Sequence, residues 1–487
     1  MLDRESCDRA MESADARFDG VFFVGVITTS IYCRPICPAR RTLRKNRRYY
    51  SSAAAAERAG FRPCLRCRPE LAPGRARVDA VPRLAEAAAR RIAAGALNGH
   101  PLDRLATELG VSGRQLRRSM QQELGVSPVE LAQTHRLLLA KQLLTETRLP
   151  MARVADASGF QSVRRFNALF RERYRLNPES LRRQSNGTSA GALPDEPHLC
   201  LTLAYRPPLA WKALLAFLAG RATPGAERVS SGSWSRTVRL GGRTGVIRVR
   251  LPDRDSALAN HDVVMLEADA SLAPTLMAVC ARVKHLFDLV AEPDAIERHL
   301  TRAGFGPIPA SSRGLRVPGA WDGFELAVRA ILGQQVSVAG ASTLMGRLAM
   351  EFGERFPSPE EGLTHLTPSA ERLADAGARA IRSIGLPAAR AETIHELSRR
   401  VANGELTLDP EADVRVLMPR LIGIRGIGPW TAEYIVMRAL HWPDAFPASD
   451  LVLRRAAGNL TTSQLTRRAE SWRPWRSYAA MHLWNRS

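Results

Sequence analysis

Residues 421–440 read LIGIRGIGPWTAEYIVMRAL. Gly426-Ile427-Gly428 lies between two apolar segments, and glycines at such a turn let backbone amides and carbonyls approach a phosphate closely. The stretch predicts a helix-hairpin-helix, with Gly426 and Gly428 against DNA and a monovalent cation bound at the hairpin. Further on comes Pro447-Ala448-Ser449-Asp450-Leu451. An aspartate directly before LVLRR reads first as a helix N-cap. The position also suits chemistry, because a carboxylate near a helix N-terminus stays ionised. In that state it can stabilise a developing positive charge or polarise an attacking water.

The chain around this stretch has 487 residues, too many for one core, and predicts about three or four domains. Its 45% hydrophobic and 24% charged content is that of a globular protein. No apolar run is long enough to span a membrane, and MLDRESCDRAMESADARF carries charges where a secretory signal would be apolar. A cytoplasmic location without membrane contact is therefore expected. The net charge is +22, and residues 1–185 hold 34 Lys/Arg against 18 Asp/Glu. Bias toward arginine explains the scarcity of lysine but not a positive excess in one part of the chain. A polyanionic partner, most simply double-stranded DNA, fits that imbalance.

Patterning divides the chain into a small cysteine-containing module (1–78), a helical module (79–183), a Gly/Ser/Pro-rich linker (184–198), a β-rich module (199–290) and a larger helical module (291–487). Within the β-rich module LCLTLAYRPP, SWSRTVRL and GVIRVRLP alternate as strands do, and WKALLAFLAGRA is helical. The expected fold class is multidomain and mainly α, with α+β parts.

Residues 79–183 contain a repeat. LDRLATELGVSGRQLRRSMQQELGVSP (102–128) matches MARVADASGFQSVRRFNALFRERYRLNP (151–178). Each unit has a short helix, a glycine-containing turn, a serine suited to an N-cap (Ser112, Ser162) and a second helix with a basic face. This is the pattern of a helix-turn-helix presenting its second helix to the major groove. Arg114, Gln115, Arg117 and Arg118 lie on the first such helix, and Arg164, Arg165 and Asn167 on the second. A helical hairpin repeat with a solvated basic face is the plainer alternative. The doubled unit resembles the tandem DNA-binding domain of AraC-type regulators.

Four of the seven cysteines are paired in sequence, as Cys33-x3-Cys37 and Cys64-x2-Cys67. In a reducing compartment this spacing favours one Zn²⁺ held by four thiolates over disulfides. On spacing alone the metal is structural, since such closed sites have no open position. The flanking residues add a further reading. RFDGVFFVGVITTSIYCRPICPARR with GFRPCLRCRPE resembles the N-terminal domain of Ada adaptive-response proteins, over roughly residues 15–70. The resemblance implies irreversible transfer of a methyl group from a DNA methylphosphotriester to Cys33, with Cys37, Cys64 and Cys67 as the remaining zinc ligands. Arg34, Arg40, Arg41, Arg44, Lys45, Arg47 and Arg48 are then expected to hold the DNA backbone. Cys200 and Cys280 lack the Pro-Cys-His-Arg context of an O6-methylguanine acceptor, so that repair is not expected.

From Leu199 to Arg486 the chain resembles the AlkA family of alkyladenine DNA glycosylases, through WDGFELAVRAILGQQVSVAGA, GIGPWTAEYIVMRAL and WRPWRSYAAMHLW. The resemblance implies hydrolytic excision of alkylated bases such as 3-methyladenine. It makes Asp450 the catalytic carboxylate and Phe217, Trp430, Tyr434 and Trp484 the aromatic base pocket. Taken singly, each aromatic would read as core. Gln335 stands where the family has an apolar residue that wedges into the DNA, and Leu451 where it has an aromatic. No lysine follows Lys284 and no cysteine follows Cys280, so neither Schiff-base lyase chemistry nor an iron–sulfur cluster is expected. The expectation is a monomeric, fused alkylation-response protein that activates transcription, with RNA polymerase as a further partner. The alternative is a zinc-containing DNA-binding regulator without glycosylase turnover.

Overall fold

A computed structural model of the protein describes residues 3–39, 42–73, 84–186 and 198–486. Most of the linker expected at 184–198 lies outside these residues.

The cysteine module is built on a four-stranded sheet, β1 (Phe23–Val26), β2 (Ile31–Cys33), β3 (Arg47–Tyr50) and β4 (Arg62–Pro63), in the order β3-β1-β2-β4. β2 pairs in parallel with β4, with Ile31 opposite Arg62 and Tyr32 opposite Pro63. Cys33 and Cys64 follow at the same level, so residues far apart in sequence end side by side. The short helix Ala53–Arg58 packs over the sheet, capped by Ser52.

Both repeat units fold as helix-turn-helix pairs, Leu102–Glu108 with Gly113–Leu124 and Met151–Ala157 with Val163–Tyr174. Ser112 and Ser162 cap the second helices by accepting from the amides of Gln115 and Arg165. Gly110 and Gly159 occupy the turns at φ +70° and +84°, a conformation that favours glycine. The matched positions are buried in both units: Ala106 and Ala155, Leu116 and Phe166, Met120 and Phe170. A bridging helix, Pro128–Glu146, joins the units; a Ser127/Glu130 capping box and Pro128 in its first turn fix its start.

The β-rich module is a five-stranded antiparallel sheet of β5 (His198–Ala204), β6 (Glu227–Ser230), β7 (Ser233–Leu240), β8 (Arg243–Arg250) and β9 (Val263–Asp269), ordered β5-β9-β8-β7-β6. β6 and β9 were not singled out by alternation: β6 is short and half-exposed, and β9 carries Glu267 and Asp269 in an apolar run. Helix Trp211–Ala219 falls within the stretch read as helical, while helix Leu276–Leu286 occupies a segment grouped with the strands.

The rest is helical around one large core that includes Ile331, Leu373, Ile394, Ile435, Met437 and Trp472. A second core crosses a module boundary. Leu143, Leu144, Val154, Phe166 and Phe170 of the helix-turn-helix part belong to the same cluster as Leu199, Leu201, Trp234, Leu272 and Met277 of the β-rich part. Among the described residues no helix is long and apolar enough to cross a membrane.

Candidate functional sites

The sulfurs of Cys33, Cys37, Cys64 and Cys67 lie within 4.8 Å of one another. A tetrahedral Zn²⁺ with sulfurs at about 2.3 Å requires sulfur–sulfur separations of about 3.8 Å, so the donor set fits the ion. The thiols also show why a cation belongs there. Hydrogen bonding with Cys37 pushes Cys33 up, hydrogen bonding with Cys33 pushes Cys67 up, and the same contacts hold Cys37 and Cys64 down. Four thiolates so close together repel one another, and a divalent ion permits all four at once. Cys33, Cys64 and Cys67 are buried, at 8%, 6% and 6% exposure, while Cys37 is half-buried.

The arginine beside Cys33 has a different job from the expected one. Arg34 is buried, paired with Asp19, and donates to the carbonyl of Cys67 at 3.0 Å, while its amide donates to Cys67 Sγ at 3.3 Å. It braces the metal loop and cannot also hold a phosphate. Arg47 is likewise buried against Asp8 at 2.8 Å, and Arg44 pairs with Glu12 at 2.6 Å. Lys45 and Arg48 remain exposed, and Arg40 and Arg41 lie outside the described residues. A motif shows a run of positive charge but not the acidic partners, which here come from earlier in the chain.

Arg114, Gln115, Arg117 and Arg118 are all exposed on helix Gly113–Leu124. On Val163–Tyr174, Arg164 and Arg165 are exposed and Asn167 is half-buried.

The C-terminal site is assembled by the hairpin. Helix Val414–Ile422 leads through Gly423–Gly428 into helix Pro429–Ala439, with Pro429 at its start. Gly426 has φ +94°, and a Cβ there would stand 2.2 Å from Thr393 Oγ1. Both the conformation and the close approach therefore demand glycine. Thr393 donates to the carbonyl of Arg425 at 2.9 Å, and Gln334 Nε2 donates to the carbonyl of Gly426 at 2.8 Å. Gly426 and Gly428 face solvent, and next to Gln334 the exposed Gln335 adopts φ +58° at a turn between two helices.

Asp450 caps helix Leu451–Ala456 by accepting from the Leu453 amide at 2.9 Å. The same carboxylate accepts from the indole N–H of Trp430 at 3.0 Å and of Trp484 at 3.2 Å. Trp430 stacks on Tyr434, with ring centroids 5.5 Å apart and planes 4° apart, and Tyr434 meets Trp484 edge-on at 6.2 Å. The structure thus brings Asp450, Trp430, Tyr434 and Trp484 together. Phe217 joins them through Arg438, whose guanidinium lies 5.0 Å from its ring and donates to the Tyr434 hydroxyl at 2.8 Å. Burial pushes the Tyr434 phenol up, but Arg438 and Arg221 pull it down to about 8. Sequence reasoning missed both arginines. Arg438 stands one helical turn after Tyr434, a spacing that puts the two on one face; Arg221 carries no motif at all.

Comparison with known proteins matches four parts of the chain. Family models match residues 6–70 (metal binding domain of Ada), 105–184 (helix-turn-helix domain), 200–322 (AlkA N-terminal domain) and 328–475 (HhH-GPD superfamily base excision DNA repair protein). One chain therefore joins a thiolate metal module and a helix-turn-helix module to a base-excision glycosylase fold, which defines a multifunctional DNA-repair protein. It belongs to the family of bifunctional transcriptional activator/DNA repair enzymes that fuse Ada and AlkA parts. A probable member from Mycobacterium tuberculosis is 40% identical over 99% of this chain and 96% of its own length. DNA-3-methyladenine glycosylase 2 of Escherichia coli is 37% identical over 58% of the chain and 96% of its own. The solved 3-methyladenine DNA-glycosylase from Archaeoglobus fulgidus shares the fold of 58% of this chain and 96% of its own, with a TM-score of 0.50 at 23% identity.

Proposed function

We propose that residues 291–487, with the β-rich module 199–290, release alkylated bases such as 3-methyladenine from double-stranded DNA by hydrolysis, and that Asp450 is the catalytic carboxylate. The observation that carries this is the set of three N–H donors on Asp450. Two come from tryptophans of the aromatic pocket and one from the start of a helix. They hold the carboxylate aimed, ready to stabilise the cationic sugar as the bond from C1′ to the base breaks. Water then supplies the oxygen to C1′, and the base leaves with the bonding electron pair. Trp430, Tyr434, Trp484 and Phe217 form an aromatic pocket for the extruded base. Gln335, exposed at its turn, would fill the gap a flipped nucleotide leaves. The hairpin Gly423–Gly428 would hold a monovalent cation against a DNA phosphate. Asp450→Asn should lower 3-methyladenine release from methylated DNA by roughly 10²-fold or more; unchanged release would remove the assignment.

The N-terminal half reads as a sensor. Cys33 sulfur attacks the methyl carbon of a phosphotriester, the O–CH₃ bond breaks, and the phosphodiester leaves as an anion. Bound zinc supplies stable thiolates at neutral pH. The methylated site carries less negative charge and so binds DNA more tightly. Through an AraC-type pair of recognition helices, this protein then activates transcription as a monomer in the cytoplasm, in contact with RNA polymerase. Peptide mapping after exposure to methylphosphotriester DNA should find a single methyl group, on Cys33. A methyl on Cys37, the more exposed thiol, would reassign the acceptor.

A further inference from the structure

Next to the proposed base pocket a cation is already in residence. The guanidinium of Arg221 lies 3.7 Å from the centroid of the Phe217 ring, and Arg221 Nη1 donates to the Phe217 carbonyl at 3.3 Å. The side chain is half-buried and close enough to Tyr434 and Asp450 to interact with both. A cation stacked on a partly buried aromatic ring is held by the same attraction that would hold a positively charged base. Arg438 adds a second guanidinium, 5.7 Å from the Tyr434 ring. Phe217 is therefore not a bare π face awaiting a cation.

We propose that Arg221 sets which charge of base the pocket prefers: it competes with cationic alkylated purines for the face of Phe217 and favours neutral purines that carry a hydrogen-bond acceptor. The chemistry of departure points the same way. When water adds its oxygen to C1′ and the electron pair of the broken bond goes to the base, a cationic base leaves neutral, whereas a neutral purine leaves as an anion until a proton reaches it. A guanidinium donating to that purine stabilises the second departure and not the first. Displacement of Arg221 by a cationic base has a place to go, since a small cavity reaches from it to Glu227 and Glu325, which hold Arg236 at 3.1 and 2.9 Å.

The inference rests on the glycosylase reading of Asp450, and the test separates the two. Single-turnover release is measured from duplexes bearing one 7-methylguanine (cationic) or one hypoxanthine (neutral), using the full chain, Arg221→Met, Arg221→Lys and Asp450→Asn. Arg221→Met keeps the length and removes the charge. It should raise the ratio of 7-methylguanine to hypoxanthine release by about 10-fold, the scale of one desolvated cation–π contact, and Arg221→Lys should restore much of the original ratio. An unchanged ratio, or equal losses on both bases with no recovery in Arg221→Lys, overturns the role of Arg221. Release of either base by Asp450→Asn at the parent rate, or of neither by the parent chain, overturns the glycosylase reading instead.

Discussion

Buried polar side chains at single positions carry much of the protein's specificity, and their partners decide what each can do. Glu57 is buried between Tyr32, whose hydroxyl donates to it at 3.0 Å, and Thr134 of the bridging helix, which donates at 2.7 Å. Burial pushes its carboxyl up to about 7, against the pull of those two bonds and of Arg173. The folded protein therefore keeps a proton there that the unfolded chain releases near pH 4.5. Stability from this group is full below that pH and is lost as pH rises toward 7, by roughly 3 kcal/mol. Thermal melts of Glu57→Gln should show a weaker decline between pH 5 and 8 than the parent chain. The four clustered cysteines and the hairpin glycines could be picked out from their spacing, whereas Asp450 read by itself as a helix N-cap and, like the separate role of Cys33, was suggested only by family resemblance. The burial of Arg34 and the seat of Arg221 were not legible, because both depend on partners that only folding brings near.

At the level of elements, capping and turn chemistry made the helix-turn-helix units readable. Ser112 and Ser162 cap the helices they precede, and Gly110 and Gly159 take the turns that need positive φ. The exposed arginines of Gly113–Leu124 make a quantitative expectation. Replacing Arg114, Arg117 or Arg118 with alanine should reduce the slope of log affinity against log salt by about 1 for each phosphate left without its arginine. Salt titrations of the full chain on its operator would measure it. An arginine that reads a base would instead alter sequence preference and leave the slope nearly unchanged. The β-rich sheet was less readable: β7 and β8 alternate along their length, whereas β6 and β9 are held mainly by the neighbours they pair with.

Across the whole molecule the modules are interlocked rather than strung together. Lys141 of the bridging helix forms a buried pair with Glu70, three residues after the zinc ligand Cys67, and Glu146 accepts from both Arg68 and the Thr202 amide of β5. With the shared apolar cluster, this joins the metal loop, the bridging helix and the first strand of the glycosylase half at one place. Patterning along the chain cannot show such a junction, since each side looks like an ordinary amphipathic surface. Each large apolar side chain uncovered there costs about 1.5–3 kcal/mol. A fragment beginning at residue 198 should therefore melt well below the full chain and bind a hydrophobic dye, as differential scanning calorimetry and dye fluorescence would show. The bridging helix has a further consequence as a ruler. Its 19 residues span about 28 Å, close to the ~34 Å turn of B-form DNA. Spaced by such a rod, the second helices of the two units are expected to reach successive major grooves on one side of the duplex. Inserting half a helical turn of DNA between the two contacted segments would rotate one of them out of reach, while a full turn would only lengthen the gap.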